Sequence, residues 1–183
     1  MRTENPLALR QAGFSVAELM VVVAIIGILA AVAVPNAQDW LSGHRLKQAG
    51  MDLAANLNQA KSTAIGRGRT CAVSFLQPVE GVTYDYVIYV DNDTNLKFSS
   101  GDEIIAKVLF SRDYPGVVWD STKSGGGLTF ASNGDSLPTV GFRANGFTRN
   151  SSGGFGAGSA FLKNQKGAEL RVVVSSVGSI RIE

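Results

Sequence analysis

The chain has 183 residues, of which 45% are hydrophobic and 17% charged, and its formal net charge is +2. This length allows one modest globular domain, and the near-neutral charge argues against a partner held mainly by electrostatics. The single cysteine, Cys71, excludes an internal disulfide.

The chain opens with a polar leader, residues 1–13, which carries Arg2 and Arg10. Positive charge ahead of an apolar segment favours a cytoplasmic amino terminus. A secretory signal has its small-residue cleavage site after the apolar segment, but here the small pair Ala12-Gly13 precedes it. Cleavage after Gly13 would keep the apolar helix in the mature protein and create a new amino terminus at Phe14.

The apolar segment follows the leader and holds one ionisable residue, Glu18. From Leu19 to Val34 it rises about 24 Å as a helix, less than the bilayer core of about 30 Å, whereas counting from Phe14 gives about 31 Å. The helix therefore spans only if Glu18 enters the membrane, where an acid needs a partner. The new amine at Phe14, on the same chain or a neighbouring subunit, is one partner. A headgroup-level glutamate on an ordinary anchor is the alternative.

The helix is predicted to continue beyond the membrane. Pro35 removes one internal hydrogen bond, so a kink is expected there. Between about Asn36 and Ile65, small and apolar residues recur at three- and four-residue steps and predict a face that packs on a globular domain: Leu46, Gly50, Leu53, Leu57, Ala60 and Ala64. Gly66 and Gly68 are expected to end the helix.

From Cys71 onward, apolar and polar residues alternate between turn residues, which predicts short strands. The candidate strands are Cys71–Leu76, Thr83–Val90, Ile104–Ser111, Val117–Asp120, Leu128–Ala131, Val140–Arg143, Phe161–Lys163, Leu170–Ser175 and Ser179–Ile182. Glycine-rich loops are expected at Gly125–Gly127 and Ser151–Ser159. A long helix followed by short strands predicts an α+β fold in which the helix packs on antiparallel β-sheets.

The amino-terminal pattern resembles that of type IV pilins and type II secretion pseudopilins. The resemblance is carried by Gly13-Phe14, by Glu18, and by the apolar run that Pro35 ends. It implies that a prepilin peptidase cuts between Gly13 and Phe14 and methylates the new amine. It also implies that Glu18 pairs with a neighbour's amino terminus during filament assembly.

The later strands narrow the resemblance to the GspH/FimT group of minor pseudopilins and minor pilins, through the segments Phe142–Phe147 and Val172–Ile182. The implied organisation is a leader (1–13), a transmembrane and assembly helix (14–35), its amphipathic continuation (36–66) and a β-rich domain (67–183). The implied function is to initiate or cap a filament rooted in the bacterial inner membrane, with the β-rich domain outside the cytoplasm. The implied partners are other pilins or pseudopilins, the prepilin peptidase and the assembly platform.

One loop carries the oxygen ligands that calcium prefers, on roughly alternate residues: Asp91, Asp93, Asn95, Ser99 and Asp102. An EF-hand loop has glycine at its sixth position and glutamate at its twelfth, whereas this loop has Leu96 and Asp102. A solvated hairpin loop is therefore the favoured interpretation and calcium the alternative. The sequence indicates no other cofactor.

Some minor pilins of the resembled group bind DNA through arginines near the carboxyl terminus. The corresponding candidates here are Arg67, Arg69 and Arg181, too few for strong phosphate binding, so DNA binding is a second hypothesis. A third is a membrane-anchored binding domain that never polymerises. Enzymatic function is not expected, because the single histidine, His44, has no nucleophile or metal-ligand pattern around it.

Overall fold

A computed structural model describes residues 15–183, except for the side chains of residues 32–37. The chain divides into two units, Met1–Asp39 and Trp40–Glu183. One long helix, α1 (Val16–Arg67), begins in the first unit and ends in the second. The second unit therefore contains the carboxyl-terminal part of α1 as well as the β-rich region.

Of the two glycines predicted to end α1, Gly68 ends it, whereas Gly66 lies within the helix. Gly68 has a φ of 63°, a left-handed conformation that glycine adopts at little cost. Its N–H donates to the carbonyl of Ile65 at 3.4 Å, and the N–H of Arg69 donates to the carbonyl of Ala64 at 3.2 Å. This pair of bonds is a Schellman motif, and it turns the chain directly into the first strand.

Two antiparallel sheets follow α1, which confirms the predicted α+β class. The first sheet has the order β3-β2-β1-β5-β6 and the second β4-β7-β8-β9. Their strands are β1 (Thr70–Val79), β2 (Val82–Asp91), β3 (Glu103–Val108), β4 (Val117–Trp119), β5 (Thr139–Phe142), β6 (Thr148–Arg149), β7 (Gly158–Asn164), β8 (Glu169–Val174) and β9 (Ile180–Ile182).

Three details differ from the predicted strands. Residues Phe110–Asp113 form a short helix, α2, rather than the end of a strand. The reason is that side-chain oxygens accept its first N–H groups: Asp85 accepts that of Phe110 at 2.6 Å, and Asp113 accepts that of Leu109 at 3.1 Å. The candidate strand Leu128–Ala131 contributes one isolated bridge, between Leu128 and Ala160. Strand β6 was not predicted, because two residues are too short for a periodic pattern.

The core lies between α1 and the sheets. The predicted face is buried and is confirmed: Leu46, Gly50, Leu53, Leu57, Ala60 and Ala64. Ala49, which was not predicted, is buried as well. Polar contacts fix the helix beside this core, since Asn56 Nδ2 donates to the Tyr86 hydroxyl at 2.8 Å and Tyr114 donates to Asp52. A smaller cluster, built around Leu96, covers the other face of β1 and β2.

Candidate functional site

The amino-terminal end of α1 holds the predicted assembly residue Glu18. The Oγ of Ser15 accepts the backbone N–H of Glu18 at 3.2 Å, so Ser15 is the N-cap of the helix. The pair has the spacing of a capping box, a serine followed three residues later by glutamate. This signal is visible in the sequence, but the sequence reasoning did not use it. The cap fixes where the helix begins relative to Glu18.

The first part of α1 is apolar on every side. Its large side chains are between 46% and 77% exposed: Val16, Leu19, Met20, Val21, Val22, Val23, Ile25, Ile26, Ile28 and Leu29. The side chain of Glu18 is exposed among them. A helix that is hydrophobic all round is stable when it is covered, and within the described residues this surface is left exposed.

Three further predictions concern α1 and the residues just before it. Within the described residues, no helix is long and apolar enough to cross a membrane. Gly13 and Phe14, the predicted cleavage and methylation residues, lie outside the described residues. The helix is continuous through residues 32–37, and the kink at Pro35 stays a prediction.

The predicted calcium loop joins β2 to β3 and brings three carboxylates together. Oxygens of Asp91, Asp93 and Asp102 lie within 4.8 Å of one another. Many of these oxygens already accept N–H groups of the loop itself: Asp91 accepts those of Asn95 and Leu96 at 3.2 and 3.0 Å. The carboxylates thus hold the loop conformation and also present hard oxygen ligands.

The other predicted oxygen ligands of this loop have partners as well. Asn95 Oδ1 accepts the N–H of Lys97 at 2.5 Å, and Ser99 donates its hydroxyl to Asp102 at 2.9 Å. Burial raises the pKa of Asp91 to about 6, and backbone donors partly oppose this rise. Calcium binding stays a prediction.

The three predicted phosphate-binding arginines do not form one patch of free charge. Arg67 donates to both carboxylate oxygens of Glu103, at 2.5 and 3.0 Å, and this bond lowers the pKa of Glu103. Arg69 donates to Asn92 Oδ1 at 2.5 Å, while Arg181 lies exposed in β9. The pair of Arg67 and Glu103 offsets one of the positive charges on which DNA binding would depend, and DNA binding stays a prediction.

A helix that is uncovered and apolar in its first part, and forms the spine of an antiparallel β-domain in its second, defines a pilin-type subunit. A family model described as "Type II transport protein GspH" matches residues 49–178. A second, described as "Prokaryotic N-terminal methylation motif", matches residues 9–34. The chain therefore belongs to the GspH family. Members of this family are structural subunits, so the chain is not an enzyme.

Curated relatives include major pilins. The chain is 44% identical over 64 residues to a type IV major alpha-pilin of Moraxella bovis, a match that covers 35% of this chain and 40% of the relative. It is 46% identical over 59 residues to a fimbrial protein of Pseudomonas aeruginosa, covering 32% and 38% of the two chains. The matches therefore span about two fifths of the relatives' length.

Among solved structures, the chain is similar to the type IV minor pilin FimU of Pseudomonas aeruginosa. The sequence identity is 15%, the TM-score is 0.44, and the match covers 75% of this chain and 92% of that one.

Proposed function

We propose that this chain is a minor pilin or pseudopilin, a structural subunit that the first part of α1 holds in the inner membrane before it enters a filament. The observation that carries the proposal is the all-round apolar surface of residues 16–29, whose large side chains are 46% to 77% exposed. Lipid covers this surface before assembly, and the helices of neighbouring subunits cover it in the filament.

Glu18 makes the transfer of the helix from lipid into the filament specific. An ionised carboxylate in an apolar bundle costs several kcal/mol unless a partner neutralises it. The methylated amine of a neighbour's Phe14, created by cleavage after Gly13, supplies that partner. A buried pair adds little net stability, but a missing partner is costly, so the pair enforces the register between subunits.

Within the filament, the proposed role of this subunit is to start or cap it together with other pilins. Before that, the prepilin peptidase processes the chain and the assembly platform receives it. The matched family is described by type II transport, whereas the curated relatives are type IV pilins. The mechanism proposed here is compatible with either filament. The neighbouring genes distinguish them, since a secretin and pseudopilin operon differs from a pilus operon.

The test compares Glu18→Ala with the wild type and with Glu80→Ala, which removes an acid whose side chain is 85% exposed in the second unit. We expect all three proteins at equal levels in the membrane. Sheared filaments are expected to contain at least tenfold less of Glu18→Ala and normal amounts of Glu80→Ala.

Mass spectrometry of the mature wild-type protein completes the test. The expected amino terminus is Phe14 with one added methyl group. A mature chain that begins at Met1 would leave only a membrane-anchored domain that does not polymerise. Normal amounts of Glu18→Ala in filaments would instead refute the role of Glu18 in assembly.

A further inference from the structure

Two asparagines of the chain are followed directly by glycine, in the pairs Asn133-Gly134 and Asn145-Gly146. Asparagine is a thermolabile residue, because the backbone nitrogen of the next residue can attack its side-chain carbonyl carbon. A following glycine favours this attack, since it has no side chain to obstruct the approach. The structure holds the two pairs in different ways, and this difference decides which of them reacts.

Asn145 lies in the turn that joins β5 to β6. The N–H of Gly146 donates to the carbonyl of Arg143 at 2.8 Å, and the N–H of Phe147 donates to Asn145 Oδ1 at 3.1 Å. The second bond forms an Asx turn, which folds the side-chain carbonyl of Asn145 back against the backbone of the next residue. The Asn145 side chain is exposed, and within the part of the chain that the structure describes this is its only hydrogen bond. Its amide nitrogen can therefore leave into water.

Asn133 forms an Asx turn too, but its side chain is held on every side. Its Oδ1 accepts the N–H groups of Asp135 and Leu137 at 2.9 and 3.1 Å, and its Nδ2 donates to the carbonyl of Leu96 at 2.8 Å. The residue is only 7% exposed. Asp135 in the same turn pairs with Lys97 at 2.7 Å. Attack on the side-chain carbonyl would break these bonds, so it requires local opening of the turn.

We propose that Asn145 is a site of spontaneous deamidation in the folded protein, and that Asn133 is protected. Hydroxide from the solvent removes the proton of the Gly146 N–H, and the nitrogen lone pair forms a bond to Asn145 Cγ. The N–H of Phe147 stabilises the negative charge that develops on Oδ1. The bond from Cγ to Nδ2 then breaks, and the leaving nitrogen takes a proton from water and departs as ammonia, which regenerates hydroxide.

The ring that remains is a succinimide, and water opens it at either of its two carbonyls. The product has aspartate or isoaspartate in place of Asn145, so a neutral amide becomes a carboxylate. This charge appears in a segment, Ser136 to Ala168, that contains no aspartate or glutamate. The inference does not depend on the proposed function, because it requires only the fold of the second unit.

The test incubates the full-length chain in detergent micelles at pH 8, in water labelled with heavy oxygen. Peptides that contain positions 133 and 145 are then quantified by mass spectrometry. The heavy oxygen marks conversion that took place during the incubation, and isoaspartate marks the succinimide route, since direct hydrolysis gives aspartate alone. We expect Asn145 to convert about tenfold faster than Asn133, or more, because Asn133 reacts only from a locally opened state.

Two controls separate the effect of the structure from that of the sequence. In urea the two Asn-Gly pairs lose their different surroundings, so their rates should become similar. Asn145→Gln would need a larger ring for the same attack, so we expect no conversion at this position and an unchanged rate at Asn133.

Three outcomes would overturn the proposal. The first is equal conversion of Asn133 and Asn145 in the folded chain. The second is no conversion of Asn145 in the folded chain under conditions in which both sites convert in urea. The third is aspartate without isoaspartate at position 145, which would exclude the succinimide.

Discussion

The carboxyl-terminal half of α1 is part of the folded core, and replacing Leu57 by alanine tests this directly. Leu57 is fully buried among residues of both sheets. Removing three buried carbons costs about 2.4 kcal/mol at about 0.8 kcal/mol each, and the cavity that remains raises the expected cost to about 3–4 kcal/mol. With a urea m-value of about 2 kcal/mol/M, the unfolding midpoint falls by about 1.5–2 M.

The assay is urea unfolding of the full-length chain in detergent micelles, followed by the fluorescence of Trp119. This residue packs against Phe75 and Phe110, with ring centroids 5.7 and 4.7 Å apart, so its emission reports core packing. A Trp40→Phe background removes the second tryptophan, which is 70% exposed.

The control for Leu57→Ala is Met51→Ala, on the same helix but 56% exposed. Its unfolding free energy is expected to change by no more than about 0.5 kcal/mol. Equal effects of the two substitutions, or a loss below about 1 kcal/mol for Leu57→Ala, would refute the view that this half of α1 belongs to the compact unit.

The remaining predictions concern a close contact, a thiol and a carboxylate. A Cβ on Gly50 would lie 2.3 Å from Leu170 Cδ2, whereas one on Gly43 meets nothing within 4 Å. Gly43→Ala should therefore stabilise the protein by up to about 1 kcal/mol, and Gly50→Ala should be less stable than Gly43→Ala by about 1–3 kcal/mol in the same urea assay; equal midpoints would contradict the contact. Burial raises the pKa of the Cys71 thiol to about 12, so a thiol reagent at pH 8 should label it only after unfolding. Labelling of the native protein at the rate of a free thiol would count against this. Burial also raises the pKa of Asp91 to about 6 in the folded chain, whereas the pKa of an aspartate in the unfolded chain is about 3.9. The free energy of unfolding should therefore fall by at most about 2–3 kcal/mol as the pH rises from about 4 to about 6. Asp91→Asn should lack this fall, and added calcium should raise the wild-type midpoint at pH 7 only if the loop binds it.

The sequence by itself determined the features that depend on local pattern. The buried face of α1 was predictable because a helix repeats every 3.6 residues, so the spacing of Leu53 and Leu57 defines one side. The end of the helix was predictable because Gly68 can adopt a positive φ. The strands of β1, β2 and β8 were long enough for their alternation to identify them. The amino-terminal motif needed only the order of Gly13, Phe14 and Glu18.

Only the tertiary structure decided which distant segments meet. The short helix α2 depends on Asp85, which lies in strand β2, so no local pattern could predict it. The ion pair between Arg67 and Glu103 reduces the positive charge that is available for a ligand near the end of α1. The two residues are far apart in sequence, so the sequence pattern did not predict the pair. The turns that contain Gly156 and Ser176 meet because both present carbonyls to the buried hydroxyl of Thr148. Such long-range contacts are set by how strands pair and turns pack, and single-sequence periodicity carries no information about them.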